Sequence, residues 1–103
     1  MANVTASITA DTNTFTDKFQ VVGHFNVSVS GTFDATVTVQ RSFDNGSTWL
    51  DTDTFTAPFE GVGYDAEDLF YRIGVKSGEF TSGTVNVRLS DNKDFSSKDV
   101  FVA

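Results

Sequence analysis

The sequence predicts an all-β fold, an antiparallel β-sandwich, with a jelly roll or small barrel as the alternative closure. Three observations carry this. Apolar and polar residues alternate with period two over long stretches, most clearly across residues 19–30. No stretch shows the 3.6-residue apolar period of an amphipathic helix. Turn-forming Gly, Asn and Asp recur at intervals of about ten residues, the spacing of short strands joined by turns.

Residues 4–10 alternate small or apolar with polar side chains and are predicted as a first short strand, followed by a polar connection over 11–17. Residues 19–30 form the longest predicted strand. Phe19, Val21, Phe25, Val27 and Val29 share one face with Gly23, while Gln20, His24, Asn26 and Ser28 take the other. A glycine in mid-strand predicts a bulge or a close backbone approach at Gly23. Ser30 and Gly31 turn the chain. The next strand sets Phe33, Ala35, Val37 and Val39 against Asp34, Thr36, Thr38 and Gln40.

Asp44-Asn45-Gly46 then predicts a tight two-residue hairpin turn, because Gly tolerates the positive φ that such turns need. The return strand covers residues 48–56 through Trp49, Leu50 and Phe55. Residues 57–68 hold the only proline and two glycines and are predicted as a long, mobile crossing loop with at most one short strand. Residues 70–76 form a strand with Leu69, Tyr71, Ile73 and Val75 inward and Arg72 and Lys76 outward. A turn at Ser77-Gly78-Glu79 leads to residues 80–90, where Val85, Val87 and Leu89 alternate with polar groups. The chain ends in a charged run from Asp91 to Asp94 and then Val100-Phe101-Val102, expected to pair as an edge strand or to stay mobile. One domain over 1–103 is expected, with extended segments at 1–17 and 91–103.

The composition constrains function. There is no cysteine, so neither a disulfide nor a thiolate metal site is available. Eleven phenylalanines compensate, since each buried aromatic removes about 150–250 Å² from water. Association with a partner or with further copies is a second expected source of stability. The net charge of −7 and pI near 4.3 oppose contact with phosphate backbones. No apolar window is long enough to cross a bilayer as a helix. The N-terminus lacks a basic region followed by an apolar core, so no secretory signal is expected.

Ser42-Phe43-Asp44-Asn45-Gly46-Ser47-Thr48-Trp49 fits the Asp-box pattern Ser-x-Asp-x-Gly-x-Thr-Trp. Its physical content is local: Asp44 accepts backbone N–H groups, Gly46 supplies the unusual dihedral and Trp49 packs beneath. Asp-boxes occur in sialidase-like propellers, but 103 residues cannot build the several blades of a propeller. His24, the only histidine, sits on the polar side of its strand and is expected at a surface or interface. Asp44, Asp51 and Asp53 lack the ligand spacing of a calcium hand. Asp65, Glu67 and Asp68 cluster without an identifiable cleft. No nucleophile–base motif accompanies the many Ser and Thr residues. The expectation is therefore no enzyme, no metal and no cofactor. Thr36, Thr38 and Gln40, with Asn26 and Ser28, are expected to form a flat polar face, either solvated or packed on another protein.

Two resemblances follow from quoted residues. The hairpin from Thr36 to Phe43, followed by Tyr71-Arg72-Ile73-Gly74-Val75 and Thr84-Val85-Asn86-Val87, resembles the second half of a fibronectin type III or immunoglobulin-like sandwich. The Cys-Trp-Cys spacing of antibody domains is missing. The run Val37-Thr38-Val39-Gln40-Arg41-Ser42-Phe43 through Trp49, with the segments 71–78 and 81–90, resembles small virion proteins of tailed bacteriophages. That resemblance covers roughly residues 33–90. It implies a structural role in capsid decoration, assembly in the host cytoplasm, homo-oligomers and contact with the major capsid protein or another virion protein. The alternative expectation is a sugar- or host-surface-binding module of a phage tail, with Trp49, Phe59 and Tyr64 as its aromatic contacts.

Overall fold

The structure is a computed structural model and describes residues 2–91. It contains nine strands and, among the described residues, no helix: β1 Ala2–Ile8, β2 Thr14–Phe15, β3 Phe19–Ser30, β4 Phe33–Ala35, β5 Val37–Ser42, β6 Leu50–Phe55, β7 Phe59–Val75, β8 Phe80–Gly83 and β9 Val85–Asp91. The main sheet runs β1-β9-β3-β7-β5-β6, with β2 added to β7, and β4 and β8 form a separate ribbon. Every pair is antiparallel. The all-β, sandwich-like expectation holds.

The sheet becomes two-layered because β3 and β7 bend together. Val21 pairs with Leu69, and the next pair is Gly23 with Asp65. One residue of β3 therefore opposes three of β7 (66–68) at a bulge, and Gly23 takes a φ of +84° there. Bulges of this kind let a strand leave one layer and enter another. Beyond the bend, one leaf consists of β1, β9 and the far halves of β3 and β7. The other consists of β5, β6, β2 and the near halves. Rings meet between the leaves: Phe25 of β3 with Tyr71 of β7 at 4.7 Å between centroids, and Phe55 of β6 stacked on Phe59 of β7 at 4.4 Å.

The core is the inward set the alternation predicts. Phe19, Val21, Phe25, Val27 and Val29 of β3 are buried, as are Leu69, Tyr71, Ile73 and Val75 of β7 and Val85, Val87 and Leu89 of β9. Val37 and Val39 of β5 complete it, with Ile8 from β1.

Three expectations need correction. Residues 59–68 are not a loop but the first part of β7, a strand of 17 residues. Their glycines and acids suit a loop by local propensity, yet pairing with β3 from Val29 to Gly23 satisfies their backbone and overrides it. The hairpin between β5 and β6 is not a two-residue turn: residues 43–49 all lie outside the strands. Finally, the polar positions of β5 and β3 do not form one face. β7 lies between these two strands, and Thr38 and Gln40 are buried rather than exposed. The predicted terminal strand beyond Asp91 lies outside the described residues.

Candidate binding groove

The hairpin loop is built by its own side chains. Asp44 Oδ1 accepts from the Thr48 N–H at 2.8 Å and from the Ser42 hydroxyl at 2.7 Å. Ser42 Oγ in turn accepts from the Gly46 N–H at 2.8 Å. These bonds hold the Asp44 carboxyl below its ordinary range, the Ser42 hydroxyl contributing most. Asn45 and Gly46 both adopt positive φ, 62° and 94°. Lys18 fastens the loop to the start of β3 by donating to the Asn45 carbonyl and side-chain oxygens. Ser42, Asp44, Gly46 and Thr48 thus form a structural unit.

Trp49 packs onto the outer face of the β5–β7 leaf. The Arg72 guanidinium lies 4.4 Å from the Trp49 ring and 4.3 Å from the Phe15 ring, a doubly stacked cation. Arg72 Nε donates to Gln40 Oε1, Gln40 Nε2 donates to Asp51 Oδ1, and Lys76 closes the chain on Asp51 Oδ2. This network, covered by β2 and Trp49, is why Gln40 is buried. Thr38 Oγ1 lies beneath the same cover with no hydrogen-bond partner.

A second polar cluster occupies the inner side of the β7 bend. Asp65 is 7% exposed. Its Oδ2 accepts from Arg41 Nη1 at 3.0 Å and from the Tyr71 hydroxyl at 2.8 Å, and its Oδ1 accepts from the Glu67 N–H at 3.0 Å. Burial opposes the Asp65 charge, but the Glu67 N–H, the Tyr71 hydroxyl and the Arg41 guanidinium outweigh it, so the carboxyl stays below its usual range. Burial and the Asp65 carboxylate together push the Tyr71 phenol up to about 12.

Arg41 and Tyr71 of this cluster line a groove of about 630 Å³ on the open flank of the sandwich. Phe25 of β3 and Phe59 of β7 line it together with Asp51, Thr52, Asp53 and Phe55 of β6. Gly63 fits under the Phe25 ring and Gly61 under the Phe59 ring, where a Cβ would collide with either. The edge of β7 over residues 59–64 borders the groove. It pairs with β3 on one side and, among the described residues, with no strand on the other.

The remaining predicted contact residues scatter. His24 and Asn26 are exposed on the outer face of β3, and His24 packs against Tyr64 at 4.8 Å. Thr36 is half-buried between β4 and β5. Phe59 and Tyr64 line the groove, but Trp49 does not, so the three aromatics proposed for sugar binding share no surface. Asp44, Asp51 and Asp53 do not converge, and no three acids or histidines are placed to hold a metal among the described residues. Sequence reasoning missed Arg41 and the role of Asp65. The signal was present: Arg41 has the parity of Val37 and Val39, and Asp65 that of Leu69 and Tyr71. Two opposite charges at inward positions predict an ion pair, here a buried Asp65 with a half-exposed Arg41.

Comparison with known proteins assigns no relative, since no family model, no curated protein and no solved structure matches the chain.

Proposed function

We propose that this chain is a non-enzymatic structural protein of a bacteriophage virion, a decoration domain that attaches to the capsid shell. The observation that carries the reading is the open flank of the sandwich. The polar groups that resemble chemistry, at Asp44, Asp51 and Asp65, are engaged in building the fold, while an unpaired strand edge with exposed Val62 and Tyr64 is left over for contact. A rigid β-domain with such an edge suits attachment to a lattice, where many copies each contribute one modest interface of about 800 Å² per partner. The resemblance over residues 33–90 supplies the virion setting. Copies would then follow the symmetry axes of the shell.

Cryo-electron microscopy of purified particles tests this. Density for the chain on the shell exterior, at junctions between capsid subunits, is expected; its complete absence from particles refutes the proposal. Density confined to the tail would favour the alternative, a host-surface or sugar-binding module. Phe59 and Tyr64 at the groove rim are the observation in favour of that alternative, and glycan binding lost on Tyr64→Ala would establish it.

A further inference from the structure

Among the open strand edges, those of β1, β6 and β7 differ in what they offer a partner. β1 exposes only small polar side chains, Asn3, Thr5 and Ser7. β6 carries Asp51 and Asp53 and is broken by a bulge, where Thr52 Oγ1 turns back to the Val39 carbonyl. Charge and bulging are the devices by which strand edges resist pairing. The β7 edge over residues 59–64 has no bulge and a single charge. It pairs with β3 in unbroken register from Phe59 to Tyr64. Its one charge, Glu60, is engaged by the Ser28 hydroxyl at 2.7 Å. Val62 and Tyr64 are 67% and 61% exposed, and the groove opens beside them.

We infer that this edge and groove take up an extended segment of another protein as an added antiparallel strand, and that the segment alternates apolar residues with Lys or Arg. The geometry suits a strand. Residues 59–64 offer about 20 Å of pairing edge, and main-chain bonds would supply affinity while the groove receives alternate side chains. Charge selects the occupant. A second copy would bring another −7 to a chain already at −7, whereas a basic segment meets Asp53, which lines the groove. This deepens the proposed function by naming the partner's chemistry, and it rests on the chain being a binding domain rather than on the identity of the particle.

The test uses the full chain and two synthetic nonapeptides, one alternating Lys with Val and one alternating Glu with Val. Binding is followed by fluorescence anisotropy and by amide chemical-shift changes. The Lys peptide is expected to bind, the Glu peptide not, with shifts concentrated at residues 59–64. Asp53→Lys should weaken the Lys peptide at least about tenfold, while Asp34→Lys, the same charge change at an exposed site on β4, should change it less than about twofold. Val62→Lys, at an exposed position, should also weaken it. Equal effects of D53K and D34K would mean diffuse attraction and overturn the inference, as would shifts centred elsewhere. A dimer of the free chain that V62K dissolves would overturn it in favour of a second copy. Should the peptide fail while the chain still decorates shells, this inference falls and the decoration reading stands on another surface.

Discussion

Tyr71→Phe is expected to flatten the alkaline limb of the stability profile. In the folded protein the Tyr71 phenol ionises at about 12 rather than 10, because it is buried and donates to the Asp65 carboxylate. Between these values the unfolded chain releases the phenolic proton and the folded chain keeps it. The unfolded state then binds fewer protons, so stability falls as pH rises through this window. Two units correspond to about 3 kcal/mol, at about 1.4 kcal/mol per unit. At pH 8 the variant should be less stable than wild type by about 2 kcal/mol, the worth of a hydrogen bond to a charged acceptor. By pH 12 the gap should have closed. Urea titrations at pH 8, 10, 11 and 12 measure it, with Trp49, the only tryptophan, as reporter. A gap that stays constant from pH 8 to 12 would refute the reasoning. So would ionisation of Tyr71 near pH 10 in the folded protein, read from phenolate absorbance.

Asp65→Asn should cost about 2–3 kcal/mol at pH 7 by weakening two charge-assisted bonds. Because the folded-state carboxyl lies below its unfolded range, the wild-type advantage is complete above about pH 4 and should shrink as pH falls through the lowered value; a gap independent of acid would count against this. Thr38→Val should raise stability by about 1 kcal/mol, since it removes a buried hydroxyl that has no partner; a lower urea midpoint would show that the hydroxyl is satisfied. Ser42→Ala should destabilise by about 2 kcal/mol because the Gly46 N–H and Asp44 both lose their bond to Ser42 Oγ, measured by thermal unfolding. Gly74→Ala should cost more than about 3 kcal/mol. Its Cβ would collide with the Thr14 carbonyl and the Phe15 backbone, so β2 must lift, and loss of the Phe15–Arg72 contact should appear as a change in Trp49 emission.

The inward faces of β3, β9 and the second half of β7 were legible in the sequence because period-two alternation reports which side of a strand meets the core. The same alternation does not report whether the other side is also covered. Thr38 and Gln40 are polar and on the outward side, yet the short β2 and the ring of Trp49 close over them, and no local signal announces a two-residue strand. Residues 59–64 were illegible for the opposite reason. Gly63 makes room for the Phe25 ring, a packing requirement set by a residue distant in sequence, and Gly61 for the Phe59 ring of the same strand. The groove follows from that same packing, so it too was hidden. The Arg41–Asp65 pair beside it was readable from parity.

The bend shared by β3 and β7 has a consequence for how the molecule opens. Each of these strands contributes one half to each leaf, so neither leaf can detach without breaking ladders that run through the other. Local opening should therefore be confined to the periphery, at β1, β6 and the β4–β8 ribbon. Amides of β3, β9 and the second half of β7 should exchange with solvent only through global unfolding, with a single common free energy. Closing these distant pairings together places most of the loop-closure entropy in one barrier, which slows folding and unfolding alike. A domain so constructed keeps its central pairings until the whole fold is lost.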